Sequence, residues 1–221
     1  MTGDSCKKGP ARGQQRLPEE RTLKVPRDFF AQPVVDVARQ CIGKLLVSRT
    51  AEGETAGRIV EAEAYRGPQD LAAHSAHGLT KRTSAMFGPP GHAYIYLLYG
   101  LSWALNLVAA PEGEPHAVLI RALEPVRGIQ LMAYRRAKPP NSRELTNGPG
   151  KLTQALGITG ALYGTDLCGD QLFLEEGQHV RGRIGRSRRI NVDYAGPWAN
   201  IGTPAELDRL DSMLQSALPA R

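Results

Sequence analysis

The sequence predicts an α+β fold: a single mixed domain with a central, largely antiparallel curved sheet and a β-hairpin, surrounded by peripheral helices. Three observations predict it. Short runs in the middle of the chain alternate small or branched apolar residues with polar ones, the period of a strand. Two apolar runs, AYIYLLYG and LSWALNLVAA, are joined near Tyr99-Gly100, which reads as a hairpin. Helical patterns stand on either side, and no repeat or linker divides the 221 residues, a length that fills one sizeable core.

The elements follow in order. Residues 1–22 are polar and broken by Gly and Pro, and read as a disordered basic tail ahead of one domain over 23–221. Asp28 caps a first helix over FFAQPVVDVARQCIG, with Val34, Val37, Ala38, Cys41 and Ile42 on one face and Gly43 at its end. KLLVSRT is a strand, AEGETAG a polar turn, and IVEAEAY a second strand. Side chains alternate faces there, so Val60, Ala62 and Ala64 suit a core while Glu61, Glu63 and Tyr65 project the other way. Residues 66–92 form a loop long enough to be functional or disordered. After the hairpin, PHAVLIRALEP supplies a strand. PVRGIQLMAYRRAK reads as a helix with Val126, Ile129, Met132 and Ala133 inward and Arg135, Arg136 and Lys138 outward. NGPGKLTQALGI is a glycine-rich turn feeding a short helix whose first N–H groups can hold an anion, without the Walker spacing. TPAELDRLDSMLQSAL closes the chain as a helix, with Thr203 and Glu206 at capping-box spacing and Pro204 in the first position.

Composition excludes several function classes. Cys6, Cys41 and Cys168 are scattered with no CxxC pair, which argues against a disulfide framework, a cysteine-ligated zinc site or an iron–sulfur cluster. The longest apolar run, Leu101 to Ala110, is interrupted by Ser102 and Asn106 and falls short of the roughly 18 residues of a membrane helix. The opening segment has no apolar stretch of signal-peptide kind, so a soluble cytoplasmic protein with no membrane partner is expected. The net charge is +6, and RGRIGRSRR places Arg181, Arg183, Arg186, Arg188 and Arg189 within nine positions. That run is either a solvated loop or a cluster that neutralises phosphates.

The carboxylate face of residues 61–65 has an ordinary reading as a solvated edge strand. Its neighbours point elsewhere. Tyr94 and Tyr96 share a face, Tyr99 sits at the turn, and Asn106 interrupts the apolar return strand. Arg121 lies between Ile120 and Ala122 in a strand that wants burial, so it needs a carboxylate or a phosphate as partner. The tyrosines suit a core equally well as they suit stacking on bases, with one ring as a wedge. His74 and His77 stand three apart, a metal spacing only on a helix, and no third ligand is near; His74 reads better as a hydrogen-bonding or stacking group. His92, His116 and His179 read as surface residues. No serine or cysteine nucleophile has a local signal, and Lys151, after GPG, is the candidate lysine nucleophile.

Five ordered stretches, EAEAYRGPQDLAAHS, MFGPPGHAYIYLLYG, the Asn of WALNL, LIRALEP and NGPGKLTQALGI, together resemble the alkyladenine (3-methyladenine) DNA glycosylases over about residues 26 to 190. The resemblance implies that Glu63 is the general base that activates water against the anomeric carbon of a flipped nucleotide. It implies that Tyr65, His74 and Tyr96 line the base pocket, that Tyr99 intercalates through the minor groove, and that Asn106 disfavours guanine at its 2-amino group. Arg121 would help position the water and the backbone, with Glu61 as a structural or electrostatic neighbour. Lys151 and the five arginines of 181–189 are candidates for the DNA backbone. The implied partner is double-stranded DNA carrying 3-methyladenine, other alkylated purines, hypoxanthine or ethenoadenine, met by a monomer without cofactor or metal. The chain departs from the family pattern at PWAN, 197–200, which lacks the usual basic and aromatic residues.

The chemistry explains such a set of parts. A base within the duplex is out of reach, and extruding it costs a few kcal/mol, less when it is damaged. Breaking the glycosidic bond builds positive charge on the sugar, which an ionised carboxylate stabilises while it aligns water. An alkylated purine is already cationic and leaves without an acid, so a monofunctional enzyme with no Schiff base is expected. Three alternatives stay open: an Mg²⁺-dependent nuclease using Glu61, Glu63 and Asp70, a non-catalytic nucleic-acid-binding module of the same fold, and a lyase acting through Lys151.

Overall fold

The structure, a computed structural model, describes residues 23–177, 184–189 and 199–202, with residue 188 and the last stretch described by backbone alone. The expected tail at 1–22 and closing helix after Thr203 lie outside the described residues, as do Arg181, Arg183 and His179.

The first expected helix is two: α1 (Arg27–Phe30) and α2 (Val34–Cys41). Pro33, which has no N–H to donate, stands at the break and precedes α2 in extended geometry. Asp28 therefore lies inside the first turn of α1 instead of capping it. The apolar face holds as read, with Val34, Val37, Ala38, Cys41 and Ile42 all buried.

Strands β1 (Leu45–Thr50) and β2 (Gly53–Tyr65) form a hairpin that absorbs most of the expected polar turn: Thr55 and Ala56 are buried against Ser48 and Val47. β3 (Ala93–Leu98) and β4 (Ser102–Ala109) make the second hairpin, and β5 (His116–Arg127) returns beside β4. α3 (Ile129–Arg136) begins only after Gly128, whose φ of 68° ends β5, so Val126 belongs to a strand and is part-exposed instead of lining a helix. Arg135 is also corrected: its guanidinium is tucked against Thr50, Glu52 and the carbonyl of Ala155, tying the β1–β2 hairpin to the helices. α4 (Pro149–Leu156), β6 (Leu172–Glu175), β7 (Gly185–Arg188) and β8 (Ala199–Gly202) complete the chain.

All pairings are antiparallel, in a curled sheet of order β3-β4-β5-β2-β1-β6, with β8 pairing β2 and β7 pairing β8. β2 is its spine. β5 runs along one edge of it, while the other edge is shared: residues 53–58 pair with β1 and residues 61–63 with β8. Between the two partners the β2–β5 ladder slips, with Ile59 opposite Leu123, Glu61 opposite Ala122 and Ala62 opposite Ile120. Val60 and Arg121 are the residues left over, the geometry of a bulge, which re-aims side chains and changes which residues face the core. Ile59 joins Ala62 and Ala64 in the core beneath α2, α3 and α4, which takes in Ile95, Leu105, Leu107, Val118, Ile120, Met132, Leu152 and Leu156, and Val60 is buried outside that cluster. Each buried Val, Leu, Ile or Met side chain there contributes about 1.5–3 kcal/mol. The opposite face of the sheet is left to the site.

Candidate active site

The antiparallel register places one row of residues straight across four strands: Tyr94 opposite Asn106, Asn106 opposite Leu119, and Leu119 opposite Glu63. Because alternate residues share a face, Tyr96, Arg121 and Tyr65 flank that row on the same side. Residues 66–87, a loop punctuated by 3-10 turns at Gly67–Gln69, His74–His77 and Ser84–Phe87, fold over it. The result is a cavity of about 600 Å³ lined by Glu63, Tyr65, His74, Arg82, Tyr94, Tyr96, Tyr99, Asn106 and Arg121, among others. Seven residues picked from the sequence as catalytic, pocket-lining or intercalating thus converge on one space.

Glu63 is the carboxylate of the wall, and only 1% exposed. Its Oε2 accepts a 2.7 Å hydrogen bond from the Tyr65 hydroxyl. Arg121 Nη1 lies 3.2 Å from Oε1, close enough for an ion pair but without hydrogen-bond alignment, so Oε1 is buried with no donor among the described residues. The guanidinium is instead aligned on Glu61, Nε donating to Oε1 at 2.9 Å. Burial works against the charge on Arg121, but Glu63 and Glu61 outweigh it and hold its pKa above the ordinary arginine value. Arg121 thus stands between two buried carboxylates. Arg121 is the residue displaced by the bulge, which is why it reaches both. The Tyr65 phenol is pushed well above its usual range, by burial first and by the adjacent Glu63 charge second, and remains a donor.

The facing wall is aromatic. His74 meets Tyr96 edge to face, ring centroids 4.5 Å apart, and its Nδ1 lies 2.8 Å from the Tyr94 hydroxyl. Arg82, which can only donate, sits 3.1 Å from His74 Nε2 and 5.2 Å from the Tyr96 ring centroid. The tautomer with its hydrogen on Nδ1 fits both contacts, Nε2 accepting from Arg82 and Nδ1 donating to Tyr94, with Arg82 also 3.4 Å from Nδ1. Burial, then the Arg82 charge, lowers the His74 pKa to about 4, so the ring is neutral at physiological pH. Burial likewise raises Tyr94 and Tyr96 to about 12. Asn106 is buried and its Nδ2 donates to the Tyr94 carbonyl at 3.1 Å, which fixes the direction of the amide.

Tyr99 marks the mouth. It occupies the β3–β4 turn with φ 49°, Gly100 following at 73°, and Leu101 N–H bonds back to the Leu98 carbonyl. Positive φ at both central residues is the turn that suits a two-stranded twist, and it is costly for tyrosine. The ring is 89% exposed, beside an equally bare Leu101.

The remaining candidates scatter. Lys151 does not line this cavity; it bonds Asn147 Oδ1 at 3.0 Å beside a smaller depression that also borders Tyr99. Arg186 is exposed on β7. Arg189 is not a surface cation: it is buried, forked onto Asp70 by two 2.8 Å bonds. The three acids of the nuclease alternative are thereby engaged by two arginines, Asp70 by Arg189 and the others by Arg121, and among the described residues no group of three His, Cys, Asp or Glu converges as metal ligands. His77 is exposed, and His116 is half-buried against Gly67, its pKa lowered by burial. Among the described residues no helix is long and apolar enough to cross a membrane. Sequence reasoning missed Arg82, which stands in no recognisable spacing and reaches the site only through the folded loop, and it read Arg189 as a candidate for the DNA backbone instead of the partner of Asp70.

A sequence model of the methylpurine-DNA glycosylase (MPG) family matches residues 28–201. A protein of Methanocella arvoryzae is 48% identical over 180 residues, covering 79% of this chain and 90% of that one. One from Anaeromyxobacter sp. is 48% identical over 178 residues, 80% and 85%. One from Clostridium acetobutylicum is 43% identical over 181 residues, 78% and 88%. All three are provisionally named 3-methyladenine DNA glycosylase.

Proposed function

The chain belongs to the methylpurine-DNA glycosylase family, and on that premise we propose that it removes damaged purines from duplex DNA as a monofunctional, monomeric hydrolase. The observation that carries this reading is Glu63 Oε1, a buried carboxylate oxygen without a donor among the described residues, in the wall of an aromatic-lined cavity.

A flipped purine enters between the Tyr65 side and the His74–Tyr96 side, exchanging stacking in the duplex for stacking on rings. Tyr99, carried on the exposed turn, fills the gap left in the helix. A water donating to Glu63 Oε1 stands against the anomeric carbon, and Glu63 takes its proton as the C–N bond breaks. The electron pair of that bond leaves with the base, and the oxygen of the water becomes the sugar hydroxyl of the abasic site. Arg121 and Tyr65 hold the carboxylate in place, while the negative charge of Glu63 stabilises the oxocarbenium-like sugar. A 3-alkylated purine is cationic and departs without a proton donor, the case this site supports best, since neutral His74 supplies no acid. Asn106, its amide fixed by Tyr94, crowds the 2-amino group of guanine.

Single-turnover base release from duplexes with one 3-methyladenine, hypoxanthine or ethenoadenine, in EDTA, tests the reading. Release by the wild type and its loss in Glu63→Gln would support it; strand scission that needs a divalent cation, or binding without release, would overturn it.

A further inference from the structure

We propose that Arg189, clamped by Asp70, is a positioning residue that holds Tyr65, and through it the Glu63 carboxylate, in working orientation. The inference rests on the glycosylase reading and adds to it a residue pair outside the cavity wall.

The chain of contacts is continuous. Asp70 lies just past the end of β2, where its two carboxylate oxygens also accept the backbone N–H groups of Ala72, at 3.2 Å, and Arg66, at 3.4 Å. Arg189, from the residue after β7, places Nη1 and Nη2 each 2.8 Å from those same oxygens. The guanidinium carbon stands 4.7 Å from the centroid of the Tyr65 ring. Tyr65 in turn donates to Glu63. On the far side of Glu63, β8 pairs with residues 61–63 of β2. The β7–β8 hairpin therefore grips the catalytic strand at two places, by backbone pairing under Glu63 and by Arg189 over Tyr65.

Stability alone is a poor reason for such a pair. Both side chains are at most 1% exposed, and the desolvation of two buried charges offsets much of their attraction, so apolar residues of like volume serve a core as well. Among the described residues Arg189 Nε is buried with no acceptor. What a two-bond fork provides is orientation, because it fixes the guanidinium plane relative to the carboxylate. Here the oriented group lies over the one ring whose hydroxyl decides which oxygen of Glu63 is left for water.

The test is a double-mutant cycle with Arg189→Lys, Tyr65→Phe and the combination, on a duplex containing one 3-methyladenine at saturating enzyme. Lysine keeps the charge but cannot form the fork. Arg189→Lys should slow base release by about tenfold to a hundredfold, the scale of a misplaced reacting group, while affinity for a duplex carrying a tetrahydrofuran abasic analogue stays within about twofold. In the Tyr65→Phe background the same change should cost less than about twofold, because its route to Glu63 is already cut. Equal losses in both backgrounds, or a loss confined to binding or thermal stability, would overturn the proposal. Should Arg189→Lys not fold, Asp70→Asn takes its place in the cycle with the same two readings. A wild type that releases no base from any lesion sinks the glycosylase reading; a wild type that releases base at a rate Arg189→Lys matches sinks this inference alone.

Discussion

Tyr65 divides the Glu63 carboxylate into two unlike oxygens: Oε2 accepts its hydroxyl at 2.7 Å, and Oε1 is left buried with an ion-pair neighbour but no aligned donor among the described residues. A strand normally presents such a group to solvent. Here the sheet continues on both sides of it, through β5 and β8, and the loop over 66–87 covers the face.

Glu63→Gln removes the charge and half of the accepting capacity while keeping the shape. Arg121 retains its aligned bond to Glu61, so the variant should fold. Base release under single-turnover conditions should drop by roughly 10²–10⁴-fold, the usual contribution of a general base, with binding to lesion-containing duplex preserved. A drop below about tenfold would move the catalytic role elsewhere.

His74 gives stability a pH signature. Its folded pKa is lowered to about 4, whereas the unfolded ring protonates near 6.5. Between those values the unfolded chain binds more protons, so the contribution is full above 6.5 and is lost as pH falls toward 4. The melting temperature of the wild type relative to His74→Gln should therefore rise from pH 4 to about 6.5 and level off above. A difference independent of pH would mean that the ring titrates normally in the fold.

Tyr99→Gly separates stability from function at the hairpin tip. Glycine relieves a left-handed residue worth roughly 1–2 kcal/mol, while loosening the unfolded chain by a comparable amount, and the exposed ring buries nothing. The melting temperature should move by no more than about 2–4 °C, yet the flipped population, read by 2-aminopurine fluorescence beside the lesion, should fall with the rate of release. A large loss of stability with flipping intact would make Tyr99 a structural residue.

Salt dependence distinguishes surface cations from buried ones. If Arg186 and Lys151 each meet a phosphate, alanine at either should reduce the slope of log K against log salt by about 0.9. Arg189→Lys should leave the slope unchanged, since Arg189 already has Asp70 as its counter-ion. Unchanged slopes for Arg186 and Lys151 would leave them as solvated side chains.

The sequence by itself determined the strands, the hairpin and the face of β2 that carries carboxylates, because a period of two and a turn at Tyr99-Gly100 are local properties of the backbone. It also determined the helix faces wherever no proline or glycine intervened; at Pro33 and Gly128 backbone constraints broke or delayed a helix that periodicity alone would continue. Only tertiary structure decided what those faces meet. The bulge that leaves Val60 and Arg121 out of register and aims Arg121 at two carboxylates arises from the β2–β5 ladder, which depends on two strands at once. Arg189 reads as one of five equal basic residues until Asp70, 119 positions away, removes it from solvent. Arg82 is one more loop arginine until it reaches His74 and Tyr96. Charge and periodicity are written locally; which charge is buried, and against what, is a property of contacts distant in the chain.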